Sequence, residues 1–299
     1  MQMNRFQIAD GVSLSRIAYG MSRMAEAEDT GPGAVLGRLD ACLGQGITTL
    51  DQADIYGDYR AEAMLGDAFA QRPGLRDSFE IVTKAGVVMA GGRVAGARLR
   101  YYDTSRAHIL ASVDASLKAL RTDRVDLLLI HRPDPLMDPA ETGAVLDDLV
   151  RTGKARAVGV SNFQPHDMAL LQDHMVQPLV VNQIEISLAA PEPVTNGELA
   201  YQQRAGMVPM AWSPLAGGAL FAGARPALLA VLREMAAEKD CDIAALAVAW
   251  LLAHPAGILP VMGTNRLERI ARLTDALQVS LDRQDWFTLY AAAVGHEVP

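Results

Sequence analysis

Residues 125–131 read Val-Asp-Leu-Leu-Leu-Ile-His. The run is of strand length and apolar without alternation, the pattern of a parallel strand covered on both faces, and it stops on an imidazole. Working outward, similar short runs recur at Ile17 to Gly20, Ile47 to Leu50, Glu80 to Lys84, Ala155 to Val160, Leu179 to Ile184, Met207 to Trp212 and Ile258 to Val261. Helix-length segments separate them: Pro32 to Leu43, Ala61 to Ala70, Ser105 to Leu120, Ala140 to Arg151, Pro165 to Gln172, Glu198 to Gln203, Pro226 to His254 as two helices, and Leu267 to Ala276. Strand and helix alternating eight times predict a closed (β/α)8 TIM barrel. An open dinucleotide-binding sheet is the rival, but no GxGxxG follows the first run; Gly31, Gly33 and Gly37 are spaced differently.

The ends add to the barrel. Asp10-Gly11 between two short apolar runs predicts a hairpin within Arg5 to Arg16, and Leu281 to Ala293, with Asp282 near its start, predicts an extra C-terminal helix. No linker or repeat divides the chain, so one domain over 1–299 is expected. Half the residues are hydrophobic, which suits a large core, and a net charge of -8 argues against a nucleic-acid partner. No run is long enough to cross a membrane, and Met1 to Asp10 lacks the apolar core of a secretion signal; a cytoplasmic location is expected. Cys42 and Cys241 sit in helical patterns without metal-ligand spacing and read as buried thiols.

Barrels of this kind carry their chemistry at the C-terminal ends of the strands. Four polar residues stand there on neighbouring strands: Asp51 and Tyr56 after the second, Lys84 at the third, His131 at the fourth. Taken singly, each has a structural explanation as a cap, a packing group or a solvated charge. Together they make a chemical unit. A phenol, with pKa near ~10, exchanges protons poorly at neutral pH; an adjacent ammonium favours its phenolate and lowers that pKa, a carboxylate keeps the ammonium in place, and an imidazole orients a carbonyl.

The segments GITTLDQADIYG, IVTKAG, VDLLLIHRPD, GKARAVGVSNF, NQIEIS, PMAWSPLAGG and VMGTNRLER resemble, in order, successive motifs of the aldo-keto reductase superfamily, and most closely those of a bacterial branch of oxidoreductases. The resemblance implies carbonyl reduction by hydride transfer with NADPH. It implies Tyr56 as general acid, tuned by Asp51 and Lys84, with His131 directing the carbonyl. Ser161, Asn162 and Gln183 match residues that bond the nicotinamide carboxamide, and Trp212 matches the aromatic on which the ring stacks. Ser213, Pro214, Leu215, Gly217 and Gly218 resemble the loop over the pyrophosphate, and Gly263, Thr264, Asn265 and Arg269 the site of the adenosine 2′-phosphate.

Two rival functions remain open. A regulatory or scaffold protein of this fold would bind NADPH without turnover, and a metal-dependent hydrolase would use His131 and Asp134, although no HxH or HExxH spacing occurs. The substrate is expected to be a small carbonyl compound. Its recognition is expected from Val87 to Arg100, Ala189 to Glu198 and Phe221 to Arg225, together with the C-terminal segment, and two readings stand for Arg93, Arg98 and Arg100: contacts for an anionic substrate, or solvated charges.

Overall fold

The structure, a computed structural model, describes residues 5–223 and 225–297. Residues 1–4, 224 and 298–299 fall within the expected domain limits or the expected loop Phe221 to Arg225 and lie outside the described residues.

Eight parallel strands close a barrel: β1 (Ala18–Gly20), β2 (Thr49–Asp51), β3 (Glu80–Ala85), β4 (Leu127–Ile130), β5 (Val158–Ser161), β6 (Leu179–Glu185), β7 (Val208–Trp212) and β8 (Leu259–Met262). Each pairs with its sequence neighbour, and β8 returns to β1 through Val261 opposite Ala18. The apolar interior joins Ala18, Val82, Leu127, Leu129, Val181, Met210 and Leu259. Leu14, Phe6 and Ile8 of the N-terminal hairpin, Phe6–Ala9 with Val12–Leu14, pack on that interior and plug the lower mouth. The upper mouth, at the strands' C-terminal ends, is left for the site.

Sequence explains the helices around the barrel. Ser105 and Asp138 accept first-turn N–H groups of Arg106–Leu120 and Pro139–Arg151, and Asp282 with Asp285 forms a capping box on Arg283–Val294. Gly66 shows how closely the ring packs: a Cβ there would lie 2.0 Å from the Ala119 carbonyl oxygen on the neighbouring helix. Pro226–Glu238 packs on Arg283–Val294 outside the barrel, joined by Lys239 to Asp285 at 2.6 Å, while the indoles of Trp250 and Trp286 stack and donate to each other's carbonyls.

The barrel, hairpin and C-terminal helix are those expected, with shifts in detail. β2 begins at Thr49 and carries Asp51 within it, and β4 is shorter than Val125 to His131, with Val125 making only an isolated bridge to Ala155. The segment Leu267 to Ala276 is not one helix but a single α-helical turn at Leu267–Ile270 and a 3-10 segment at Leu273–Gln278. Val87–Val88 and Tyr101–Tyr102 form an unexpected antiparallel pair at the upper mouth. Cys42 is buried as expected, with its thiol pushed up to about 12 by burial; Cys241 instead lies between two helices and is partly exposed. Among the described residues no helix is long and apolar enough to cross a membrane.

Candidate active site

β2, β3 and β4 are adjacent, and three of the four polar candidates stand at or just past their C-terminal ends. Asp51 ends β2, Lys84 is the penultimate residue of β3, and His131 follows β4. Tyr56 arrives from a tight turn in which Gly57, Asp58 and Tyr59 are all left-handed, with φ of 58°, 55° and 64°. Such a run of αL residues is costly outside glycine. Gly57 permits it and also permits contact, since a Cβ there would lie 2.5 Å from the Ala25 side chain.

The Lys84 ammonium is the hub. Nζ donates to Asp51 Oδ1 at 2.8 Å, to the Gln52 carbonyl at 2.8 Å and to Tyr56 Oη at 3.1 Å, which uses all three of its hydrogens. Asp51 Oδ1 also accepts from Gln183 Nε2 at 2.7 Å. Because Tyr56 Oη accepts from the ammonium, its own hydrogen is left to donate elsewhere. The His131 ring meets the Tyr56 ring edge to face, with centroids 5.9 Å apart.

Burial by itself would push Lys84 down; Asp51 and Tyr56 outweigh it, and the ammonium is held above its ordinary value. For Tyr56 the expected lowering fails. Burial raises the phenol more than Lys84 lowers it, and Asp51 adds to the rise, so the group is held as a neutral phenol. His131 is driven well below its ordinary value, first by burial and then by Lys84, Arg132 and Arg100, so its imidazole is neutral at pH 7. Its Nδ1 is buried without a hydrogen-bond partner.

Asp51, Tyr56 and His131 line one cavity of about 1050 Å³, and Lys84 stands behind them. The same cavity is lined by Ser161, Asn162, Gln183, Trp212, Ser213, Pro214, Leu215, Gly217, Gly218, Gly263, Thr264, Asn265 and Arg269. Every expected cofactor contact therefore faces the space that Asp51, Tyr56 and His131 line. Asn162 and Ser213 take left-handed backbone, φ 61° and 50°, at the ends of β5 and β7. The amide of Asn162 is already engaged: Oδ1 accepts from Trp212 Nε1 at 2.9 Å, and Nδ2 donates to Ser161 Oγ at 2.7 Å. It thus fixes the indole plane and the Ser161 hydroxyl in addition to facing the cavity.

Sequence reasoning missed several contributors. Arg132 sits with its guanidinium 5.6 Å from the Trp212 ring centroid and lines the cavity; its place beside His131 was the only signal. Tyr19 and Arg38 strap the Gly263 to Asn265 loop from behind, donating to the Thr264 and Asn265 carbonyls at 2.8 and 3.3 Å. Of the expected substrate segments, Arg100 and Phe221 reach the cavity, while Ala189 to Glu198 supplies no lining residue among the described residues.

The pattern of the Aldo/keto reductase family matches residues 16–293. The chain is an aldo/keto reductase. It is 56% identical over 296 residues to the 6-dehydroglucose reductase of Agrobacterium fabrum, covering 99% of this chain and all of the relative. It is 38% identical to the Escherichia coli oxidoreductase YdhF over 305 residues, again 99% of this chain and all of the relative. Among solved structures it superposes on an aldo/keto reductase of Klebsiella pneumoniae in complex with NADP and acetate, with TM-score 0.76 and 26% identity over 95% of this chain and 93% of that one. This aldo/keto reductase is a carbonyl-reducing oxidoreductase, as the resemblance implied.

Proposed function

We propose that this aldo/keto reductase uses NADPH to reduce the aldehyde of an oxidised sugar to an alcohol, with Tyr56 as the proton donor. The single observation that carries the chemistry is the buried Lys84 ammonium, bonded at once to Asp51 and to the Tyr56 hydroxyl at the wall of the cavity. The sugar is suggested by the relative named 6-dehydroglucose reductase, alike over its whole length, and by the guanidiniums of Arg100 and Arg132 at the cavity wall, which suit hydroxyl oxygens better than an apolar substrate would.

The residues present fit the cofactor. The cavity is at the top of the ~300–1,000 Å³ range of ligand pockets, and its donor set changes along its wall. Near Tyr56 stand hydroxyl and amide groups, Ser161, Asn162 and Gln183, with the Trp212 indole. Farther on, at the Ser213 to Gly218 loop, Gly217 and Gly218 have positive φ and open space where a Cβ would be. Beyond them, Thr264, Arg266 and Arg269 are a hydroxyl and two guanidiniums, and the two arginines have no side-chain hydrogen bond or ion pair among the described residues. That order suits a carboxamide, a pyrophosphate and a 2′-phosphate. When bound, NADPH supplies the hydride.

The chain's own part is the proton and the charge. Neutral His131 donates a hydrogen bond that aims the carbonyl oxygen at Tyr56, and the phenol gives up its proton as charge develops on that oxygen. The fixed Lys84 ammonium then stabilises the phenolate, while Asp51, held by Gln183, keeps the ammonium from swinging away. A phenol raised by burial is a reluctant acid at rest, and the ammonium lowers the cost of its ionised form during turnover.

The same reading makes the chain a single barrel domain over 1–299, located in the cytoplasm, acting on small molecules and not on nucleic acid; the family match over 16–293 and the net charge of -8 support it. The test is NADPH oxidation against a panel of aldehydes that includes 6-dehydroglucose. Tyr56→Phe is expected to lower the rate by about 10² or more while NADPH still quenches protein fluorescence. A Tyr56→Phe enzyme at the wild-type rate would sink the assignment.

A further inference from the structure

Two buried acids have no part in the steps above. Asp54 and Glu62 are 2% and 1% exposed, and neither lines the cavity. Asp54 lies two residues before Tyr56; its backbone N–H donates to the Lys84 carbonyl at 3.1 Å, and its carboxyl accepts from Ser112 Oγ on helix Arg106–Leu120. Glu62, near the start of helix Ala61–Gln71, accepts from Thr83 Oγ1 at 2.6 Å. Thr83 precedes Lys84 on β3. Successive strand side chains point to opposite faces, so Lys84 faces the barrel interior and Thr83 faces the helices. One carboxyl thus grips the outer side of the loop that leads to the phenol, and the other grips the outer side of the strand that bears the ammonium.

Neither acid is well placed to be a carboxylate. Asp54 Oδ1 and Glu62 Oε2 are sealed from solvent without a hydrogen-bond partner, and a buried charge left partly unbonded is expensive. Asp54 faces Glu62, Ser112, Arg93 and the Ile55 N–H; Glu62 faces Thr83, Ser116, Arg93 and Lys84. Arg93 serves both acids but is exposed and lies over the Tyr59 ring, and Lys84 is already committed to Asp51.

We propose that Asp54 and Glu62 are positioning residues: as neutral acids they fix the loop leading to Tyr56 against the strand bearing Lys84, and ionisation of Asp54 slackens that hold. The proposal rests on the roles given above to Tyr56 and Lys84. Burial pushes the Asp54 carboxyl up to about 7, and burial also raises Glu62. The unfolded chain releases the Asp54 proton near ~3.9. The stability this proton confers is therefore full below that pH and is lost as pH rises through about 7.

Asp54→Asn keeps the shape and removes the charge. We expect wild-type kcat to fall by up to about tenfold between roughly pH 6 and 8, as a group near neutrality loses its proton, and that limb to vanish in Asp54→Asn with NADPH affinity unmoved. The melting temperature of the wild type should fall more steeply over the same range than that of the variant, a readout that needs no substrate. Glu62→Gln should shift the limb by removing the neighbouring acid. A wild-type pH profile and melting slope in Asp54→Asn would overturn the proposal. Should that variant not fold, Ser112→Ala removes a bond that favours the charged form and should move the limb to higher pH; an unmoved limb would be equally fatal. Activity surviving in Tyr56→Phe would instead refute the underlying site assignment, so the two failures are distinguishable.

Discussion

The two ends of this barrel are built on opposite terms. At the lower end two carboxylates are matched by arginines: Asp126 bonds Arg76 at 3.0 Å, Arg156 at 3.2 Å and the Ile81 N–H at 2.9 Å, and Glu80 meets Arg5 at 2.6 Å. The hairpin closes over them. At the upper end a lysine is sealed among a phenol and a carboxylate, two acids keep bare oxygens, and Asn162, Ser213 and Tyr59 hold left-handed backbone. The lower end lowers the free energy of the fold, whereas the upper end spends some of it to hold reactive groups in place.

The contrast can be attacked from either end. The largest expected effect is below: Asp126→Ala leaves two arginines and a backbone N–H without their acceptor and should cost about 3 to 5 kcal/mol in urea unfolding, with turnover per folded molecule unchanged. Gly66→Ala, which forces apart two helices that flank β3, should cost about 1 to 3 kcal/mol by the same measurement. Above, Arg269→Ala should weaken NADPH about tenfold, or ~1.4 kcal/mol, and leave NADH where it was, as read by fluorescence titration; equal loss for both would move the 2′-phosphate elsewhere. Smallest is Glu80→Gln at the half-exposed lower pair, within about 1 kcal/mol and shrinking with added salt.

Much of the upper end could be read in the sequence because strand ends announce themselves. An apolar run that stops on Lys84 or His131 marks both the strand and its exit, and adjacency in a barrel follows from chain order. Depth could not be read. The sequence puts Lys84 beside Tyr56 but does not say that the ammonium is sealed and the phenol half-buried at the cavity wall, and loss of solvent is what reverses the expected direction for the phenol. Asp54 and Glu62 stayed hidden because they face the helices, where a carboxyl in a sequence looks like any surface charge. The break of Leu267 to Ala276 into a turn and a 3-10 segment had no local mark, since no Gly or Pro interrupts it.

The central claim is that Asp51 and Lys84 are buried for chemistry and not for stability. The double variant Asp51→Asn/Lys84→Met, compared with wild type in thermal unfolding and in aldehyde turnover, tests it in one preparation. Replacement of a buried ion pair by apolar residues of similar volume is often neutral or stabilising by about 1 to 4 kcal/mol, and the Asp51→Asn/Lys84→Met exchange likewise removes both desolvated charges. The account predicts an unchanged or higher melting temperature with kcat/KM down by about 10² or more. A protein that melts early, or one that melts normally and still turns over at the wild-type rate, would contradict it.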